Sequence, residues 1–211
     1  MTSGMEAEQF TVRLAGPEED PAIAALVVEG FIDKFRPVFG SRMDRSVKIM
    51  ERWIGLEHAS GGVISLVIEG YGAGEIAGSV GVRTAASRED VLARGLWRNL
   101  ERNLGLPRAL WATTLLSYPR YATTSSEAYI ERLVVSPDFR RQGMARRLLA
   151  AAEDLAREAG KATVGLHVGG TNLAALRLYE GEGYEEVSRQ RSLLTGYFLN
   201  IRDWLYLKKE L

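Results

Sequence analysis

The sequence predicts an α/β fold in which helices flank a mixed sheet. Three observations predict it. Short apolar, β-branched runs recur along the chain, amphipathic helical patterns separate the later ones, and 46% of the 211 residues are hydrophobic with no cysteine. A chain of this size buries enough surface to need neither a disulfide nor a structural metal. Residues 9–211 read as one domain behind a flexible tail over 1–8, whose small and polar side chains carry no packing pattern.

The elements follow in order. Phe10, Val12 and Leu14 alternate with polar neighbours as a half-buried strand does. Gly16-Pro17 and the acidic Glu18, Glu19 and Asp20 then open a helix striped by Ile23, Leu26 and Val27. A second helix is expected from about Met43 to Glu57 on Val47, Met50 and Ile54, ended by Gly61 and Gly62. Val63 to Glu69 and Glu75 to Arg83 read as antiparallel neighbours joined through Gly70-Tyr71-Gly72-Ala73-Gly74. The stretch 85–126 is too long for an ordinary loop, and a capping signal at Ser87 with Leu92, Leu96, Leu100 and Leu104 predicts a helical insertion. Its Leu110, Trp111, Leu115 and Leu116 would cover a substrate pocket, form a dimer face or pack on the parent core. Strands over Ala128–Val135, Thr163–Val168, Tyr184–Ser188 and Asp203–Lys209 complete the pattern, with helices over Gln142–Ala159 and Asn172–Gly181. The last two strands are expected to follow each other directly.

Composition narrows the function classes. Twenty-seven basic side chains balance 27 acidic ones, so no global field favours nucleic acid or an anionic membrane as partner. Two histidines without cysteine exclude zinc-cluster scaffolds, and no metal site is expected. No apolar run reaches the roughly 18 residues of a membrane span, and the opening residues lack a secretory pattern. A cytoplasmic location is therefore expected.

The stretch that carries chemistry is Ile130 to Ala145, IERLVVSPDFRRQGMA. A strand stops at Ser136-Pro137, and a glycine-containing loop opens directly into a helix striped by Met144, Leu148, Leu149, Ala152, Leu155 and Ala159. Unpaired N–H groups at the first turn of such a helix, reinforced by its dipole, make an anion site. Neither the P-loop lysine nor G-x-G-x-x-G is present.

Arg140-x-x-Gly143-x-Ala145, preceded by Leu133-Val134-Val135-x-Pro137, resembles the pyrophosphate-binding signature of the GNAT superfamily of N-acetyltransferases. Asn172, Ala174, Ala175, Leu178, Tyr179, Gly183 and Tyr184 resemble its second signature, with Tyr184 replacing Phe. The resemblance is strong from 128 to 211 and rests only on element order before 85. It implies a mostly antiparallel sheet with a splayed central pair of parallel strands, and acetyl-CoA as the acetyl donor in the cleft between them. Backbone of Leu133, Val134 and Val135 would take the pantetheine and the thioester carbonyl. The N–H groups of Arg140, Arg141, Gln142, Gly143, Met144 and Ala145 would take the pyrophosphate, and Asn172, Ala175 and Tyr179 would complete the cofactor contacts. An amine would attack the thioester directly, with Tyr179 at the position of the general acid and Glu131 or His167 as the base. Glu127 and Tyr129 are lesser candidates for lining the cleft, and His58 is expected at the surface. The acceptor, a small-molecule or a peptide or protein amine, has no signature, although Asp33, Arg36, Trp53, Tyr197 and Phe198 are candidates to line its side. A non-catalytic CoA-binding module for sensing or assembly is the alternative, and a homodimer through the insert or the C-terminal strands is left open.

Overall fold

The computed structural model describes residues 10–70, 75–84, 89–119 and 124–211. The tail over 1–8, the centre of the Gly70–Gly74 connection and the Ser87 capping signal lie outside the described residues. Strands β1 (Val12–Leu14), β2 (Ile64–Glu69), β3 (Ile76–Arg83), β4 (Glu127–Val135), β5 (Thr163–Gly169), β6 (Glu185–Arg191) and β7 (Asp203–Glu210) form one sheet in the order β1-β2-β3-β4-β5-β7-β6. Every neighbouring pair is antiparallel except β4 with β5. The fold is the mixed, mostly antiparallel α/β architecture with one central parallel pair.

Helices α1 (Asp20–Gly30), α2 (Ile32–Phe39), α3 (Ser46–Ser60), α4 (Glu89–Leu104) and α5 (Leu106–Leu116) build one layer. Ile23, Phe35, Phe39, Ile49, Ile54, Leu100 and Leu115 make its core against Val67 and Val134 of the sheet. The two helices of the 85–126 stretch thus bury Leu100, Leu104, Ala109, Ala112 and Leu115 on the parent core, while Leu110 is left exposed.

On the other face lie α6 (Met144–Glu158) and α7 (Leu173–Gly181). Met144, Leu148, Leu149, Ala152 and Ala156 of α6 bury against Leu66, Ile68, Val80, Ile130 and Leu166, each large side chain contributing about 1.5–3 kcal/mol. Gly78 lets this helix ride close to the sheet: a Cβ there would meet the Val134 carbonyl oxygen at 2.9 Å and Leu148 Cδ1 at 3.0 Å.

Two helices depart from the expected pattern. α2 follows α1 directly, and α8 (Leu193–Leu199) separates β6 from β7, which do not follow each other directly. α2 forms despite an internal Pro37 because Phe35, Val38 and Phe39 are buried on one side. α8 is started by the Ser192 hydroxyl, which accepts from the Thr195 N–H at 3.2 Å, and stopped by Asn200 at φ 55°.

Candidate active site

The parallel pair is joined over only part of its length. The ladder runs from Glu127–Thr163 to Ile130–Leu166 and stops, although β4 continues to Val135 and β5 to Gly169. Past that point β4 keeps only its pairing to β3, up to Val135, and β5 only its pairing to β7, up to Gly169. Between the diverging ends opens a cavity of about 910 Å³. Its walls include Glu131, Arg132 and Leu133 of β4, His167 and Gly169 of β5, and Asn172 just before α7 with Ala175 and Tyr179 on it. The helical layer and α8 supply a roof that includes Lys34, Trp53, Leu116 and Phe198.

A β-bulge sets what β4 presents here. The register with β3 steps from Ile130–Val82 to Arg132–Gly81, leaving Glu131 without a partner across the ladder. The extra residue inverts the alternation that follows. Ala128 and Ile130 face the α6 layer before the bulge, Leu133 and Val135 pack there after it, and Val134 turns into the opposite layer. Glu131 and Arg132 consequently both line the cavity.

The charges around the bulge are mostly paired. Glu131 forms an ion pair with Arg83 of β3, and burial raises its pKa above the usual carboxylate range, opposed by Arg83. Arg132 Nη1 donates to Glu57 Oε2 at 2.6 Å, and Trp53 Nε1 donates to Glu57 Oε1 at 2.8 Å. His58 is no surface residue: its Nδ1 lies 2.9 Å from Asp20 Oδ1 and its Nε2 lies 3.0 Å from Ser65 Oγ. Ser65 in turn accepts from Arg132 Nη2 at 3.3 Å. Lys34 of α2 holds its ammonium 5.4 Å from the centroid of the Trp204 ring. Burial lowers its pKa, and the negative charge of Glu131 opposes the shift.

His167 stands on the β5 wall, where Tyr129 Oη lies 2.8 Å from its Nδ1 and the Tyr206 ring packs at 5.0 Å. Tyr206 donates its hydroxyl proton to Glu127, and Gly165 leaves the space that this pair fills. Burial pushes the His167 imidazole down to about 4, so the ring is neutral at neutral pH. Tyr179 is buried against Tyr184 with ring centroids 5.7 Å apart. Burial raises its hydroxyl to about 12 and keeps it protonated. Asn172 caps α7, its Oδ1 accepting from the Ala175 N–H at 3.2 Å.

Beyond the open end of β4, buried Phe139 anchors the loop that leads into α6. Arg140 Nε donates to the Val135 carbonyl at 3.1 Å, Gln142 Nε2 donates to the Asp138 carbonyl at 3.2 Å, and Arg141 has φ 62°. Gly143 is the residue before α6, at φ 79°, with open space where a Cβ would stand. Helix geometry leaves the first-turn N–H groups of Met144 and Ala145 without intrahelical acceptors. Residues 140–145 lie outside the cavity lining itself.

Among the acceptor-side candidates, Asp33, Trp53, Tyr197 and Phe198 line the cavity and Arg36 does not. Lys34, Glu57 and Arg132 line it without having been anticipated, since each is brought there by an unrecognised helix, a buried ion pair or the bulge.

Residues 27–184 match the model of the Acetyltransferase (GNAT) family. The chain belongs to the GNAT acetyltransferase family. Local similarity links this GNAT chain to GCN5-related N-acetyltransferase 4, chloroplastic, of Arabidopsis thaliana, 40% identical over 60 residues, which are 28% of this chain and 21% of the plant protein. It also links it to the [Ribosomal protein bS18]-alanine N-acetyltransferase of Escherichia coli, 39% identical over 66 residues, 31% of this chain and 45% of that enzyme. The chain therefore spans less than half the length of these curated relatives. Similar solved structures share the GNAT fold along nearly the whole chain. A ribosomal-protein-alanine N-acetyltransferase from Brucella melitensis superposes with TM-score 0.63 at 16% identity, covering 95% of this chain and 99% of its own. The yncA protein of Salmonella typhimurium, solved with its cofactor acetyl-CoA, superposes with TM-score 0.59 at 15% identity, covering 97% and 95%.

Proposed function

We propose that the protein transfers the acetyl group of acetyl-CoA to a primary amine of a small-molecule, peptide or protein acceptor, by direct attack in a ternary complex. The observation that carries this reading is the parting of β4 and β5 over a cavity that holds both a carboxylate, Glu131, and a protonated phenol, Tyr179. Acetyl-CoA supplies the electrophilic thioester. The backbone of Leu133, Val134 and Val135, which lies past the end of the β4–β5 ladder and whose Val135 carbonyl accepts from Arg140 Nε, offers hydrogen-bonding groups to an extended donor. The residues of the loop, Arg140 to Ala145, offer N–H groups and positive charge to its phosphates, with Gly143 leaving room for their approach.

Two protons must move. An alkylammonium has a pKa near 10 and must lose a proton before it attacks. Glu131, with its pKa raised by burial, takes that role better than His167, whose low pKa makes it a weak base and whose contacts with Tyr129 and Tyr206 fit a wall residue. Tyr179 stays protonated and donates to the departing thiolate.

The test is calorimetric titration with acetyl-CoA followed by an amine screen that monitors CoA release, on wild type and Tyr179→Phe. Saturable binding with turnover that falls about 10²-fold or more in the variant, at unchanged donor affinity, is expected for loss of a general acid. Binding with no turnover on any amine favours a CoA-sensing module, and no binding at millimolar acetyl-CoA rejects the reading.

A further inference from the structure

We propose that Lys34 is itself an acetyl acceptor, so that the protein modifies its own cavity wall. The inference rests on the acetyl-transfer reading above.

Position argues first. Lys34 lines the same cavity as Glu131 and Tyr179. Its Nζ lies over Trp204, which is paired in register with Gly169, the last residue of β5 beyond the point where the strands part. On the opposite wall, Glu131 is the carboxylate whose charge acts on this amine. The ammonium thus stands in the cavity beside the end of β5, past the point where the strands part and in the same cavity as the proposed base and acid.

Its chemistry agrees. Arg132, the other cation among the named wall residues, is tied to Glu57, and Glu131 is tied to Arg83. Lys34 forms no ion pair with a described residue. A desolvated ammonium without a contacting carboxylate is biased toward the neutral amine, which is the nucleophilic form.

The step balances without another reactant. The Nζ lone pair forms a bond to the thioester carbonyl carbon, the C–S bond breaks, and sulfur leaves with the bonding pair. Nitrogen sheds one proton to the Glu131 carboxylate, and sulfur gains one from the Tyr179 hydroxyl. The products are N-acetyl-Lys34 and CoA as its thiol; Glu131 then releases its extra proton to solvent and the Tyr179 phenolate takes one back, so both side chains return to their starting states.

The chain contains five lysines, Lys34, Lys48, Lys161, Lys208 and Lys209, and exposed Lys48 on α3 reports uncatalysed labelling. Full-length protein incubated with acetyl-CoA and no added amine is digested and mapped by mass spectrometry. One acetyl group is expected on Lys34, at a rate independent of protein concentration, suppressed by excess CoA and at least about tenfold above Lys48 as positioning predicts. Lys34→Arg is expected to remain folded and to take no label at the same rate. Before any donor is added, competitive labelling with acetic anhydride across pH is expected to show a Lys34 midpoint below the ordinary lysine range. A midpoint within that range, equal labelling of Lys34 and Lys48, or acetyl-CoA binding with turnover of added amines while Lys34 stays unmodified overturns this inference alone. Failure to bind acetyl-CoA overturns the acetyl-transfer reading along with it.

Discussion

Lowering the pH strips stability from this fold through His167. Its imidazole titrates at about 4 in the folded chain against a reference of 6.5, with burial as the first cause. Between those values the unfolded chain binds a proton that the folded chain refuses, so stability is fully present above the unfolded pKa and falls as the pH drops toward 4. Integrated over the whole window, the shift corresponds to about 3 kcal/mol, and solvent screening of a half-buried ring brings the expected loss to between about 1 and 3 kcal/mol. Buried carboxylates with raised pKa, Glu131 and Asp20, contribute with the opposite sign. The assay therefore compares wild type with His167→Asn, whose side-chain amide keeps a hydrogen-bonding atom near the place of Nδ1, within reach of Tyr129. Urea unfolding is measured at pH 7 and pH 4, and the acid-induced loss in the variant is subtracted from that in the wild type. A residual of at least about 1 kcal/mol is expected. A residual below about 0.5 kcal/mol, or an NMR titration of His167 centred near the ordinary imidazole value of about 6.5, would refute the argument from burial.

Other consequences are equally direct. Arg132→Ala leaves Glu57 buried beside Trp53 without its cation, and since the two ionic side chains are only 9% and 5% exposed, a loss of about 3–5 kcal/mol is expected in urea unfolding. Gly143→Val places a β-branched residue at φ 79°, with a strain of about 1–2 kcal/mol, and acetyl-CoA affinity measured by calorimetry should fall. Glu131→Gln should lower kcat about 10²-fold or more. It should also abolish a rate profile that, in wild type, rises with pH as this carboxylate deprotonates above the usual carboxylate range; an unchanged profile would reassign the base.

Local signals in the sequence carried much of the fold. The stripe of α6 and the R-x-x-G-x-A loop are encoded within a few residues, so the strand-loop-helix unit was legible, with its start displaced only from Gln142 to Met144. α2 was hidden because Pro37 is a helix breaker by propensity, and only the burial of Phe35, Val38 and Phe39 in the layer beneath outweighs that cost. α8 was hidden by Gly196 and a run of aromatic residues that carries weak helical preference. His58 read as a surface residue because its partners, Asp20 and Ser65, come from other elements.

What the sequence determined by itself is the strands and most of the helices, all but α2 and α8, the strand-loop-helix turn before α6 and the positions of Glu131, His167 and Tyr179 along these elements. Periodicity, caps and turn glycines act over a few neighbouring residues and need no knowledge of the rest of the chain. Only the tertiary structure decided that β4 and β5 part after Ile130 and Leu166, that a bulge turns Glu131 and Arg132 to the cavity together, and that Lys34 reaches across to Trp204. Register and strand divergence depend on which neighbour each strand keeps, and the protonation of a side chain depends on the water that distant elements remove from it.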